Sequence, residues 1–214
     1  LRPAARVRAT CAAIRRAGAE AADRALPGLQ ALEVHLPELP AHFRAELRTT
    51  TALVRAWTLD NEGALADLHD ALASSPRPDT ACRARLLRAR LLKATDPMVG
   101  WHEVLRTVEV ARGHGLLRFE ILAWSLAGED MVMLGRAEEA IERLRSGVGR
   151  LLAHGETRAA VETRLHLGLV LRAAGRLADA HRALSGAMDG QAPPYGTAAL
   201  SVQVHTAVLA ALAS

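Results

Sequence analysis

The sequence predicts an all-α fold of stacked antiparallel helix pairs, and three observations carry that reading. Half of the 214 residues are hydrophobic but only 3% are aromatic. A core must therefore be assembled mainly from Leu, Ala and Val, which suits close helix packing better than a sheet sandwich. Ala, Leu and Arg are strong helix formers, and β-branched residues never gather into a strand-like run. Four positions also recur forty residues apart: Gly128 with Gly168, Gly135 with Gly175, Ala140 with Ala180 and Leu144 with Leu184. Self-similarity at a fixed period marks a structural unit built more than once.

Each element follows from local pattern. Val7, Cys11 and Ile14 recur at spacings of four and three, which predicts a helix over about 3–24. Pro27 starts a short helix to about residue 35, and Pro37 and Pro40 mark a break. A helix over about 41–57 meets a turn at Asp60, Asn61 and Gly63 and returns over 64–73. Pro76 and Pro78 place a loop over 74–79. The next pair spans about 80–93 and 97–112, with Pro97 pre-set for a first helical turn. Gly113 and Gly115 end it. Two further pairs span about 117–134 with 137–153 and 157–174 with 177–188. After a loop over 190–196, an apolar helix over 197–212 has no visible partner. Ala198, Val202, His205, Val208 and Leu209 form a largely apolar stripe on it, from which self-association is expected.

Composition narrows the function classes. The net charge is +4 and the pI about 10.0, but the cations are nearly all Arg, with Lys93 the single lysine. They alternate with Asp and Glu, and Arg83 and Arg90 fall on a different helix side from Arg85 and Arg88. A solvated helix surface is favoured over a phosphate-binding stripe, and nucleic acid is disfavoured as a partner. Cys11 and Cys82 lie in no motif and read as buried thiols in a reducing cytoplasm. No apolar run reaches transmembrane length, so no membrane role is expected. A start at Leu1 rather than Met suggests a fragment whose neighbour carries an activity.

Enzyme and metal motifs are absent. His102-Glu103 lacks the second histidine of a zincin. His114 and His154, one repeat apart, suit capping of helix-end carbonyls. Gly147-Val148-Gly149-Arg150 follows no strand and lacks the Lys-Ser/Thr ending of a phosphate loop, so its glycines are read as turn or helix-end residues. Glu138-Glu139 opens a helix, where acids are favourable. Ser125 and Ser201 lie in no nucleophile elbow. No catalytic residue, cofactor or metal is assigned, and the chain is read as a non-enzyme. Trp57, Trp101 and Trp124 are read as core, with Trp57 the one best placed to line a groove.

The segments 117–155 and 157–192 resemble the tetratricopeptide repeat. The second carries Leu167-Gly168, Leu171, Gly175-Arg176, Asp179-Ala180, Leu184, Ala187 and Pro193; the first carries Trp124, Gly128, Met131, Gly135-Arg136, Glu139-Ala140, Leu144 and Gly147. Earlier traces are Ala64, Leu68, Ala71 and Pro76, then Gly100 and Val104. Gly128 and Ala140 are expected to let two backbones approach closely, and Gly135 to supply a left-handed turn. The resemblance implies a right-handed α-solenoid of tetratricopeptide-like pairs over 41–192, with repeats at about 41–79, 80–116, 117–155 and 157–192. It would be preceded by a helical segment over 1–40 and followed by a capping or interface helix over 197–214.

The resemblance further implies a concave groove lined by first helices. Its positions transfer to Arg85, Ala89, Leu92 and Lys93; then Leu122, Ser125, Glu129, Val132 and Met133; then Glu162, Leu165, Leu169, Arg172 and Ala173. The asparagine-and-lysine clamp for terminal carboxylates is missing, so a helix or extended peptide on apolar anchors is the expected ligand. The alternative is a groove filled by the chain's own first forty residues. Similar repeats occur in bacterial cytoplasmic signalling and transcription regulators, which implies a protein- or peptide-binding regulatory module, or one that pairs with a second copy. The other readings are the sensory part of a signalling enzyme such as a nucleotide cyclase, with its catalytic domain elsewhere, and a small-molecule or nucleic-acid binder.

Overall fold

The computed structural model describes residues 3–18, 22–93 and 95–188. The described residues form ten α-helices and no strand, and the chain divides into two compact units, Leu1–His114 and Gly115–Ser214. The first unit contains α1 (Pro3–Ala17), α2 (Ala22–Glu33), a single 3-10 turn (Leu36–Glu38), α3 (Ala41–Trp57), α4 (Asn61–Ala73), α5 (Pro78–Leu92) and α6 (Pro97–Gly113). The second contains α7 (Leu117–Met133), α8 (Ala137–Ala153), α9 (Thr157–Ala173) and α10 (Leu177–Met188). The apolar segment expected to self-associate, 197–212, lies outside the described residues.

Packing within each unit follows one rule. Where a helix pair follows another, its first helix touches its own partner and both helices of the preceding pair. Thus α3 meets α4, α1 and α2; α5 meets α6, α3 and α4; α9 meets α10, α7 and α8. The first two helices obey the same rule, so residues before Pro40 act as a pair of their own. Val7, Cys11, Ile14, Ala22, Leu29, Leu32 and Leu39 share one core with Leu47 and Val54 of α3, and Trp57 packs against it.

The boundaries near the start differ from expectation. Gly18, at φ 74°, ends α1 seven residues early, and its N–H bonds the carbonyl of Ile14 at 3.0 Å. Pro27 sits inside α2 rather than at a helix start. It removes one helix donor, but Pro27 and Gly28 are both exposed, so the loss falls on the solvent side. Gly63 lies in the first turn of α4 rather than in the preceding turn, donating its N–H to the Asp60 carboxylate at 2.9 Å. Gly147 and Gly149 lie inside α8 and not in a turn.

Burial fixes the register of the repeat. Counted from each helix start, the twelfth residue of the first helix is Ala52, Ala89, Gly128 or Gly168, and all four are buried. The fourth of the second helix is Ala64, Gly100, Ala140 or Ala180, and the eighth is Leu68, Val104, Leu144 or Leu184, again all buried. Each buried leucine of this kind contributes about 2 kcal/mol through removal from water. The small positions answer to close contacts. A Cβ on Gly128 would lie 2.5 Å from Val170 Cγ2, and one on Gly168 would lie 2.6 Å from Leu184 Cδ2. Gly128 therefore makes room chiefly for a side chain of α9, not for Ala140.

Candidate functional site

A cavity of about 100 Å³ opens in the first unit between the first helices of three successive pairs. Arg15 of α1, Glu46, Thr49, Thr50 and Leu53 of α3, and Thr80, Arg83 and Leu87 of α5 line it. The spacing explains the arrangement: 46, 49, 50 and 53 fall on one helical face, as do 80, 83 and 87. On α1, Val7, Cys11 and Ile14 are buried, which leaves Arg15 at the rim of that stripe, reaching across to α3.

Both arginines are held in place. Arg15 donates from Nη2 to Glu46 Oε1 at 2.9 Å and from Nη1 to Thr50 Oγ1 at 3.2 Å. Arg83 donates from Nε to the Asp79 carbonyl at 3.4 Å and from Nη2 to the Asp79 carboxylate. Burial, and next the neighbouring positive charge of Arg15, pull the Arg83 guanidinium below its ordinary value. The threonine hydroxyls are turned inward on their own helix: Thr49 donates to the carbonyl of Ala45 at 2.7 Å and Thr50 to that of Glu46 at 2.9 Å. The cleft therefore offers guanidinium N–H groups and the Glu46 carboxylate over methyl and leucine surface.

The groove positions transferred from the repeat lie in both units. Arg85 faces α6, where its Nη1 donates to Glu103 Oε2 at 2.9 Å. Ala89 is buried at the small position. Leu92 and Lys93 are half-buried at the end of α5. In the second unit Ser125 is 2% exposed; its hydroxyl donates to the Ile121 carbonyl at 3.0 Å and reaches Thr163 Oγ1 at 3.5 Å. It therefore joins α7 to α9 instead of facing solvent. Leu122, Glu129, Val132, Glu162, Leu165, Leu169 and Arg172 are half-buried, while Ala173 is exposed and Met133 is 80% exposed.

Glu46 and Arg83, which the sequence reading did not select, occupy the sixth position of α3 and α5, as Leu122 and Glu162 do in α7 and α9. The signal that finds them is the buried small residue: aligning Ala89 with Gly128 shifts the α5 register by one, which sets Arg83 level with Leu122 and takes Arg85 off the transferred positions.

Two further carboxylates, Asp67 and Glu103, are internal. Asp67 is 2% exposed and meets Arg48 and Arg55, each at 2.8 Å. Burial raises its carboxyl above the ordinary 3.8 against the pull of those arginines. Glu103 holds Arg85 and, at 3.5 Å, Arg88. Burial pushes the Cys11 and Cys82 thiols up to about 11 each, which makes both poor nucleophiles. His154 Nδ1 lies 2.8 Å from the Arg150 carbonyl at the end of α8. Among the described residues no group of three or more His, Cys, Asp or Glu could hold a metal ion, and no helix is long and apolar enough to cross a membrane.

No protein-family model, curated protein or solved structure matches the chain.

Proposed function

We propose that the chain is a protein- or peptide-binding regulatory module whose helix pairs are tetratricopeptide-like turns of a right-handed α-solenoid, engaging its partner through the face of the first helices. The observation that supports this most is the α1, α3 and α5 cleft: it lies between first helices, where the resemblance puts the groove, and is lined by both charge and leucine. Stacked repeats present such surfaces to extended ligands. At about 100 Å³ the cleft is smaller than the 300 Å³ or more typical of drug-sized ligands, which favours a peptide side chain over a small-molecule sensor pocket. The setting is that of a bacterial cytoplasmic signalling or transcription regulator.

Hydrogen exchange of the full chain with and without peptides selected for binding tests the reading. New protection should fall on α3 and α5 at Glu46, Thr49, Leu53 and Arg83. Protection confined to the second helices α4 and α6 would sink it.

A further inference from the structure

Two guanidinium groups and the Glu46 carboxylate line the cleft, and the Asp79 carboxylate holds Arg83 from its own helix, so each guanidinium has one acid partner. A guanidinium has five N–H donors. Arg15 uses Nη1 on Thr50 and Nη2 on Glu46, and Arg83 uses Nε and Nη2 on Asp79. Each retains donors for an incoming group. The hydroxyls of Thr49 and Thr50 are committed to their own helix, and Leu53 and Leu87 complete an aliphatic lining. The volume admits one carboxylate on a short hydrocarbon stem and excludes a nucleotide.

We propose that this cleft takes the carboxylate of an internal aspartate or glutamate side chain of an extended partner peptide, seated between Arg15 and Arg83 with its stem against Leu53 and Leu87. The proposal rests on the peptide-binding reading above and adds the chemistry of the ligand. Carboxylates are the natural partners of paired guanidinium forks, and an incoming anion relieves the repulsion between Arg15 and Arg83. Glu46 is the built-in competitor, because it already occupies Arg15 at 2.9 Å. Its removal should therefore tighten binding, an effect that a merely structural role for these residues does not produce.

The test is selection of a displayed library of random peptides, flanked on both sides so that no terminus is free, on the full chain. The selected sequence is then synthesised with blocked ends and its affinity measured by fluorescence anisotropy. Selected peptides should be rich in Asp or Glu. Arg83→Gln and Arg15→Gln should each weaken binding about tenfold, the scale of a lost charged hydrogen bond. Replacing the peptide acid by its amide should cost the same, and the two losses should not add. Glu46→Gln should bind more tightly, while Arg106→Gln, an exposed control that removes the same charge from α6, should be unchanged.

If Arg15→Gln fails to fold, Arg83→Gln and the amide peptide carry the test. Binders without acidic residues, or an amide peptide that binds as well, would overturn the inference while leaving the peptide-binding reading intact. Failure to select any binder would remove both. Free glutarate displacing the peptide at equal concentration would show that the site serves small carboxylates and overturn the peptide source.

Discussion

The seventh residue of the second helix is Asp67 in α4 and Glu103 in α6, but Arg143 in α8; opposite it, the eighth residue of the first helix is Arg48, Arg85 and Trp124. The first unit joins its pairs here by buried ion pairs, Asp67 with Arg48 at 2.8 Å and Glu103 with Arg85 at 2.9 Å. The second lays the Arg143 guanidinium 4.4 Å over the ring of Trp124. Caps differ in the same way. Asp60 and Asp96 accept backbone N–H groups at the starts of α4 and α6, whereas Arg136 and Arg176 precede α8 and α10 and clamp the acids Glu139 and Asp179. One repeat frame thus tolerates two polar chemistries, because the small and large buried positions, not the charges, define it.

The largest separation between the units should come from Asp67→Ala. It leaves Arg48 and Arg55 without their buried carboxylate, and a loss of about 3 kcal/mol is expected in urea unfolding. A variant as stable as the parent would show that the ion pairs are ornamental and that the two units are held alike. Gly168→Ala probes the second unit: its Cβ would meet the buried Leu184 at 2.6 Å, and overpacking of this kind costs about 2 kcal/mol. The equivalent test in the first unit is already in the sequence, since Ala52 and Ala89 stand at that position.

Leu59→Gly sharpens the comparison in the opposite direction. Gly115, Gly135, Gly155 and Gly175 recur two residues before a helix start, all at positive φ, and Leu59 stands at that place before α4 with φ 64°. The backbone bond is the same: Asp60 N–H reaches the Arg55 carbonyl at 2.9 Å, as Arg136 N–H reaches that of Met131 at 2.8 Å. Leu59 is 84% exposed, so glycine loses little packing and relieves the left-handed strain. Stability should rise by about 1 kcal/mol, and a fall would mean that Leu59 packs in solution.

The smallest effect is on pH dependence. Hydrogen bonds from Arg143 and Arg136 hold the Glu139 carboxyl below its ordinary 4.5, and those from Arg176 hold Asp179 below 3.8. Their stabilisation is present above those ordinary values and is lost as pH falls through the lowered ones. Asp67 has the opposite sign: the part of its contribution that depends on protonation is present below 3.8 and fades as pH rises through the raised value, separately from the cost of stripping Arg48 and Arg55 of their partner. Hydrogen exchange against pH should show α8 and α10 loosening first on acidification, and Glu139→Gln with Asp179→Asn should flatten that response. Identical acid profiles for α4 and α8 would remove the distinction.

The sequence by itself determined the helical class, the forty-residue period and most helix limits beyond Pro40, because apolar spacing, glycines and prolines act locally. Ala140, Ala180, Leu144 and Leu184 were legible as core since the repeat shows them twice. Tertiary structure decided the rest. That Pro27 lies within a helix, that residues before Pro40 form a further pair with α3, and that Ser125 is internal depend on which face meets a neighbour, which no local pattern encodes. The cleft was hidden for the same reason. Arg83 and Arg85 are legible as lying on different sides of α5, but only the packed structure, with Ala89 buried, shows that the first lines the cleft with α3 and the second meets Glu103 of α6.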